Sequence, residues 1–315
     1  MRSGGGRLAL AGLCVAAVVG VLIYSGGRAS SRTAAVSPTS ATATGVPRTP
    51  TMRPASVRRE HRAAAALQAD PLTAAVAYLD GRMDTVSVAV YDLVTHQTWT
   101  VGDTGRAQDE ASVVKVEILE TLLAQQPAGL TSAQAGLAEQ MIEDSDNDAA
   151  TTLWNAVGGA VGIRAYGKLV GLTGTTPSLC VQCSDFPWPG WGLTTTTALD
   201  QLTLLRELVS TGSVLNAVSR RLAVRLMEDV TPDQRWGVSG GIPSEATVAL
   251  KNGWLPLNAA DTDWQINSIG WVSGSGHDYL IAVLTTGNPS EEYGIDTIDE
   301  LSSIVWEKLV GTNHT

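Results

Sequence analysis

Ser112 and Lys115 are the first residues of this 315-residue chain whose types and spacing could do chemistry. They lie in the segment EASVVK, residues 110–115, and a spacing of three on a helix places both side chains on one face. A buried lysine with a lowered pKa can take the proton of a neighbouring serine and make it a nucleophile. The helix start also offers the N–H of Ser112 to an oxyanion. The alternative is an exposed serine beside a solvated lysine.

A second group, Ser145-Asp146-Asn147, lies between two segments of helical periodicity. A serine hydroxyl at this position could pass a proton to a leaving group, and the amide of Asn147 could hold a substrate amide. Ser, Asp and Asn are also the favoured N-cap residues of helices. The triplet is therefore equally compatible with a helix start that has no chemical role.

A third group, Lys251-Asn252-Gly253, follows the β-rich segment 247–250. A lysine at a strand edge can attract a substrate carboxylate, and the glycine lets a ligand approach the backbone closely. The amide of Asn252 can donate a hydrogen bond, and the N–H of Trp254 could be a second oxyanion donor. We therefore expect Lys251, Asn252, Gly253 and Trp254 to bind substrate together with Asn147. The alternative is an ordinary edge-strand lysine before a turn.

The elements that would position these residues follow the order strands, helices, strands. Alternation with period two predicts strands, and apolar residues on one stripe predict helices. The predicted strands are 85–91, 97–101, 246–250, 265–272 and 278–285, and the main helices are 112–124, 132–143, 149–157, 199–208 and 293–310. The simplest α+β assembly is an antiparallel sheet of about five strands, flanked by N- and C-terminal helices, beside an all-helical lobe. A cleft between sheet and lobe is a natural ligand site.

Together, the three groups resemble the S-x-x-K, S-D-N and K-T-G set of class A β-lactamases and penicillin-binding proteins. The resemblance implies that Ser112 is acylated and that Lys115 is the base or its relay. It implies that Ser145 shuttles protons and that Lys251 binds a substrate carboxylate. It also implies an oxyanion hole formed by the N–H groups of Ser112 and Trp254.

The resemblance covers Leu67 to Val310 with three departures. Asn252 replaces the Thr or Ser of the third motif. Only 33 residues separate the first two motif serines, which predicts an open cleft. Class A enzymes activate the deacylating water with a glutamate, but the corresponding loop here, residues 177–193, contains none. Val181 occupies the aligned place and Asp185 is the nearest carboxylate, so we expect an acyl-enzyme that forms but hydrolyses slowly.

Cys180 and Cys183 lie in the same loop, as C-V-Q-C. In an exported chain such a pair predicts a small disulfide, which would stiffen the loop. The surroundings lack the βαβ pattern of a thioredoxin-like redox centre. A zinc site would need a further Cys or His pair nearby, and the four histidines are scattered. The sequence therefore indicates no metal site and no cofactor.

The first 66 residues differ in composition from the rest. Two arginines precede an uninterrupted apolar run of 17 residues, 8–24, which predicts a signal anchor or a cleaved signal peptide within residues 1–25. Residues 26–66 are rich in Ser, Thr, Ala and Pro and predict a disordered spacer. Residues 67–311 form the predicted catalytic domain. Whether the run is kept as a membrane anchor or removed on secretion, the domain is expected outside the cytoplasm.

Beyond residue 66 the chain is acidic, with 12 lysines and arginines against 30 aspartates and glutamates. This balance argues against a nucleic-acid partner. The leading hypothesis is an extracytoplasmic serine hydrolase that forms an acyl-enzyme with a β-lactam, a cell-wall peptide or a related amide or ester. A second hypothesis is a penicillin-binding or sensing protein that is acylated without efficient turnover. A third is a non-catalytic scaffold that binds a wall fragment or a protein partner.

Overall fold

A computed structural model of the chain describes residue 70, residues 72–183 and residues 187–309. The predicted signal segment, the predicted spacer and Asp185 lie outside the described residues. Within the described ranges, no helix combines the length and the apolar character needed to cross a bilayer.

Five strands form one antiparallel sheet: β1 (Thr85–Asp92), β2 (Thr98–Val101), β5 (Thr247–Pro256), β6 (Trp264–Gly274) and β7 (His277–Asn288). Their order across the sheet is β2-β1-β7-β6-β5. Strand β1 pairs with β7 along its whole length, so the sheet is built from both ends of the domain and the prediction of its assembly is confirmed. Strand β5, which carries the third motif, lies at one edge of the sheet.

Eight α-helices are present in the part of the chain that the structure describes. They are α1 (Thr73–Leu79), α2 (Val114–Gln125), α3 (Ser132–Glu143), α4 (Asn147–Ala156), α5 (Gly159–Val170), α6 (Ala198–Val209), α7 (Ala217–Glu228) and α8 (Glu291–Leu309). Helices α1 and α8 cover one face of the sheet, and the helical lobe α2–α7 lies against the other. The sequence patterns had not resolved α5 and α7 as separate helices. The α+β architecture is confirmed.

The side-chain alternation of the central strand β7 divides the apolar core in two. Leu280, Ala282 and Leu284 pack with the helical lobe, while Ile281 and Val283 pack with the helices at the two ends of the domain. All five side chains are buried, and each buried leucine, isoleucine or valine contributes about 1.5–3 kcal/mol to folding. The sheet is therefore a rigid middle layer, and its edge strand β5 is a firm support for a site.

Two short strands connect the sheet region to the lobe. Strand β3 (Gln108–Asp109) pairs with β4 (Thr195–Thr196), and the N–H of Glu110 donates to the carbonyl of Thr194 at 2.7 Å. Immediately after β3 a single 3₁₀ turn, Ala111–Val113, leads into α2. This junction holds the first motif where the sheet edge meets the helical lobe.

Candidate active site

The first motif forms the predicted contact between its hydroxyl and its amine. Ser112 lies in the 3₁₀ turn and Lys115 in the first turn of α2, and Lys115 Nζ donates to Ser112 Oγ at 3.0 Å. Ala111 has a φ of +50°, a left-handed conformation that is uncommon for residues other than glycine and is concentrated at functional sites. This turn redirects the chain from β3 into α2 at the serine itself.

The hydroxyl of Ser145 lies between two lysine amines. Lys115 Nζ donates to Ser145 Oγ at 2.9 Å, and Lys251 Nζ donates to the same oxygen at 3.0 Å. Lys115 Nζ also donates to the Ser145 carbonyl at 2.6 Å and to Asn147 Oδ1 at 2.9 Å. A continuous hydrogen-bonded series therefore runs from Ser112 through Lys115 and Ser145 to Lys251, across 139 positions of the chain. Such a series can carry protons.

The second motif combines a helix cap with groups that face the site. Asp146 is the N-cap of α4, and its carboxylate accepts a hydrogen bond from the N–H of Ala149 at 2.6 Å. Ser145 has a φ of +56°, which turns its side chain and its carbonyl toward Lys115. Asp146 therefore caps the helix, as one interpretation of the triplet predicted, while Ser145 and Asn147 contact Lys115.

Burial sets the protonation of the two lysines. Lys115 is 0% exposed and Lys251 is 1% exposed. Burial lowers the pKa of Lys251 to about 7. Burial, and then the charge of Lys251, hold the pKa of Lys115 well below its usual value, with Asp146 opposing the shift. The lowered pKa of Lys115 favours the neutral amine beside Ser112 that a general base requires.

Strand β5 approaches the nucleophile so closely that only glycine fits at position 253. A Cβ there would lie 2.7 Å from the backbone nitrogen of Ser112 and 2.7 Å from the carbonyl oxygen of Glu110. Both distances are far below any normal carbon contact. The edge strand and the 3₁₀ turn are thus in direct backbone contact, and the N–H of Ser112 lies beside the segment that contains Trp254.

Asn252, which we predicted to bind substrate, contacts the protein instead. Its side chain is fully buried, and its amide nitrogen donates to the carbonyls of Gln234 at 2.7 Å and Trp236 at 3.2 Å. Its amide oxygen accepts from Ser268 Oγ at 2.6 Å. Successive residues of a strand alternate between its two faces, so a side chain next to Lys251 points away from the lysine. The amide of Asn252 holds the segment 234–236 against the sheet.

Ser112 borders a cleft whose cavity measures about 30 Å³. The open cleft that the short spacing indicated stays a prediction. Trp191 contributes much of the wall: its ring centre lies 5.1 Å from Lys115 Nζ, and its indole N–H donates to Thr151 Oγ1 at 3.0 Å. The described lining residues are Ala111, Ser112, Asn147, Trp188, Pro189, Trp191, Gly192, Trp254 and Leu255.

The cleft wall and the cysteine loop form one unit. Cys180 and Cys183 are joined by a disulfide, and a Cβ at Gly190 would lie 2.8 Å from Cys183 Sγ. The N–H of Gly190 also donates to the carbonyl of Val181 at 2.9 Å. The sequence analysis had not singled out the tryptophans of this loop, although the run P-W-P-G-W-G, residues 187–192, was the available signal.

Buried carboxyl groups accompany the nucleophile on the side of the helical lobe. Glu110 and Glu117 are at most 1% exposed, and neither carboxyl group has a hydrogen-bond partner. Burial, followed by repulsion from Asp200, raises the pKa of Glu117 to about 8. Burial and the charges of Glu117 and Asp200 raise the pKa of Glu110 well above its ordinary value. Glu117 is therefore predominantly a neutral acid at neutral pH, and it differs from the ionised glutamate that a water-activating base would need to be.

The family model described as "Beta-lactamase enzyme family" matches residues 123–309. The chain belongs to this family. The predicted resemblance to class A β-lactamases and penicillin-binding proteins is thereby confirmed. Relatives from Mycobacterium tuberculosis and Mycobacterium bovis, both named "Putative lipoprotein LppW", are 28% identical over 208 residues. The match covers 63% of this chain and 62% of the length of each relative.

Solved structures share the fold at low sequence identity. The TLA-1 extended-spectrum β-lactamase superposes with a TM-score of 0.66 at 16% identity, over 76% of this chain and 98% of that protein. A class A β-lactamase from Bacteroides cellulosilyticus gives 0.65 at 18% identity, over 78% and 98%. PBP-A gives 0.63 at 18% identity, over 76% and 96%.

Proposed function

We propose that this protein is an extracytoplasmic serine hydrolase that forms an acyl-enzyme on Ser112 with a β-lactam, a cell-wall peptide or a related amide or ester. One observation carries the proposal: the hydrogen-bonded series that joins Ser112, Lys115, Ser145 and Lys251. These residues come from three separate stretches of the chain. Two of them are lysines, which are rarely buried without a partner or a role.

The series supports a balanced acylation step. Lys115 Nζ, as a neutral amine, takes the Ser112 proton while the serine oxygen bonds to the substrate carbonyl carbon. When the bond from that carbon to its leaving nitrogen or oxygen breaks, Ser145 gives its own proton to the leaving atom. The protonated Lys115 then returns a proton to Ser145, since the two are 2.9 Å apart. Lys251 contacts the same hydroxyl of Ser145. When Lys251 is charged, it favours transfer of the Ser145 proton to the leaving atom.

The close approach of β5 supports a two-donor oxyanion hole. The N–H of Ser112 and the N–H of Trp254 are the proposed donors, and Gly253 permits the backbone contact between their segments. Backbone donors fixed by a sheet edge and a helix start need no rearrangement when negative charge develops on the carbonyl oxygen. Removing one such donor typically lowers acyl-transfer rates by about 10²–10³-fold.

One observation favours a second candidate function, a sensor or penicillin-binding protein whose acyl-enzyme persists. The loop at 177–193 contains no glutamate, and Val181 at the aligned place is 42% exposed and apolar. Water attack on an acyl-serine needs a base on the deacylation side of the ester. Slow release of the acyl group is the expected result.

Three observations support the extracytoplasmic location. The apolar run at 8–24 has the composition of a signal segment. The mycobacterial relatives carry a lipoprotein name. A disulfide in the described cleft wall also fits an oxidising compartment.

Incubation of the full chain with a fluorescent penicillin tests the acylation step. Gel fluorescence and intact mass give the rate of labelling and the rate of loss, and peptide mapping gives the site. We expect label on Ser112, none on Ser112→Ala, and at least about 10³-fold slower labelling of Lys115→Ala because the general base is gone. Lys168→Ala, which removes an exposed lysine of α5, is the matched control.

The lifetime of the label separates the two candidates. Loss within seconds supports a hydrolase, and persistence for hours supports a sensor or binding protein. Label on another residue, or equal labelling of the Ser112→Ala protein, would contradict the assignment of the nucleophile.

A further inference from the structure

A buried asparagine of strand β6 contacts the chain immediately before the nucleophile. Asn267 is 0% exposed, and its Nδ2 donates to the carbonyl of Asp109 at 2.8 Å and to the carbonyl of Glu110 at 3.0 Å. Asparagine is depleted from strands, and a buried amide needs partners for its polar atoms. Here both N–H groups of one amide are used on the two peptide carbonyls that precede the 3₁₀ turn of Ser112.

The other end of the amide fixes its orientation. Gln265 lies two positions earlier on the same face of β6, and its Nε2 donates to Asn267 Oδ1 at 2.8 Å. Gln265 is itself 1% exposed. A reversed amide would place its oxygen against two carbonyl oxygens and its nitrogen against the nitrogen of Gln265, which leaves every one of these contacts unsatisfied. The two amides therefore form a support of defined orientation between the sheet and the start of the turn.

The carbonyl of Glu110 is the point at which this support meets the nucleophile. The N–H of Val113 donates to the same oxygen at 3.3 Å and closes the 3₁₀ turn around Ser112. A Cβ at Gly253 would lie 2.7 Å from this oxygen, so β5 borders it as well. The amide of Asn267 thus anchors the turn whose backbone N–H is a proposed oxyanion donor.

The backbone of the turn shows why it needs an anchor. Glu110 has helical dihedrals, φ −74° and ψ −30°, whereas the next residue, Ala111, has a φ of +50°. A left-handed backbone is unfavourable for alanine and persists where the surrounding structure fixes it. Without donors for the two carbonyls, Ala111 is free to relax toward an ordinary conformation. Relaxation at this residue turns the hydroxyl of Ser112 away from Lys115.

From these contacts we propose that Asn267 is a positioning residue for the acylation of Ser112. By holding the two carbonyls before the turn, it fixes the directions of the Ser112 hydroxyl and of the Ser112 N–H. The inference rests on the proposed acylation of Ser112. Because its side chain is fully buried, Asn267 cannot touch a substrate, so it acts on the rate of reaction in the bound complex and leaves binding unchanged.

Asn267→Ala removes both donors and tests this role. Acylation of the full chain by a fluorescent penicillin, followed over a range of concentrations, gives the limiting rate, the half-saturating concentration and the final labelled fraction separately. We expect the limiting rate to fall about 100-fold, as a misplaced reacting group does, with the other two quantities as in the wild type. A merely structural role would lower the labelled fraction, because part of the protein would be unfolded, and would leave the rate of the folded molecules unchanged.

Asn288→Ala is the matched control. Asn288 is also 0% exposed, on strand β7 of the same sheet, and its Nδ2 donates to the Trp264 carbonyl at 2.9 Å and to Thr285 Oγ1 at 2.8 Å. This variant should be destabilised in urea unfolding and should keep the limiting rate. A wild-type limiting rate in Asn267→Ala, or an equal loss of rate in both variants, overturns the proposal. A raised half-saturating concentration at an unchanged limiting rate also overturns it, because the role would then be in binding.

Asn267→Ser, which retains one donor, takes the place of Asn267→Ala if the alanine variant does not fold. If both variants fail to fold while Asn288→Ala folds, Asn267 serves overall stability and the proposal is overturned. A neutral alkyl fluorophosphonate, as a second reagent for Ser112, separates this inference from the proposed function. If either reagent modifies Ser112 of the wild type and Asn267→Ala reacts equally fast with it, only this inference fails. If neither reagent modifies wild-type Ser112, the proposed function and this inference both fall.

Discussion

Replacing Glu117 by glutamine should stabilise the protein near neutral pH. Glu117 lies on α2, two residues after the catalytic lysine candidate, and its carboxyl group is buried without a hydrogen-bond partner. Burial and the repulsion of Asp200 raise its pKa from 4.5 to about 8. The folded protein must therefore keep a proton on Glu117 that the unfolded chain releases.

The magnitude follows from the pKa values in the two states. Because the folded pKa is the higher one, the stability from this group is complete below pH 4.5 and is lost as the pH rises to about 8. At pH 7 the loss amounts to about 3 kcal/mol at 1.36 kcal/mol per pH unit above the unfolded value. Glutamine is neutral in both states and avoids this loss. Glu117→Gln should thus gain up to about 3 kcal/mol at pH 7 and almost nothing at pH 4.

Urea unfolding followed by tryptophan fluorescence at pH 4, 6, 7 and 8 gives the free energy of unfolding of each variant. Glu307→Gln, an equal change at an exposed position of α8, is the control and should change stability little at any pH. The reasoning is refuted if Glu117→Gln is no more stable than the wild type at pH 7. It is equally refuted if its gain is the same at pH 4 as at pH 8, because the gain would then not come from the proton.

Two further predictions concern the acylation rate. The rate should rise with pH as Lys115 loses its proton, and in Lys251→Gln the rise should move to higher pH, because the charge of Lys251 helps to lower the pKa of Lys115. A stopped-flow pH profile of the wild type without such a rise contradicts the assignment of Lys115 as the base. Gly253→Ala should slow acylation at least about 100-fold, since its Cβ would push β5 away from Ser112. Gly136→Ala, in open space on α3, is the control, and full activity of Gly253→Ala would refute this account.

Local sequence patterns predicted the strands of the sheet and the contact within the first motif. Period-two alternation found the strands, and three-residue spacing found the contact between Ser112 and Lys115. The convergence of Lys115 and Lys251 on the hydroxyl of Ser145 could only be expected through the family resemblance, because the contact between Ser145 and Lys251 spans 106 positions of the chain.

The features that the sequence did not reveal depend on strand register and on packing. Asn252 belongs to the third motif, yet its side chain lies on the face of β5 opposite to Lys251, because successive residues of a strand point to opposite faces of the sheet. The acids Glu110 and Glu117 look like ordinary helix residues until the lobe buries them. Trp188 and Trp191 lie in a loop without periodicity, so only the folded loop shows that they wall the cleft.

The pairing of β1 with β7 determines when the domain can finish folding. The central strand at residues 85–92 pairs with the strand at residues 277–288, so nearly the whole chain must be synthesised before these two strands can pair. Contacts between segments so distant in the chain slow folding, because a large loop must close before they form. The helices of the lobe, whose contacts are more local, can associate first. Until the late strands emerge, Ser112 and Lys115 lack the sheet edge that completes the proposed site, so we expect a product truncated before residue 277 to escape acylation.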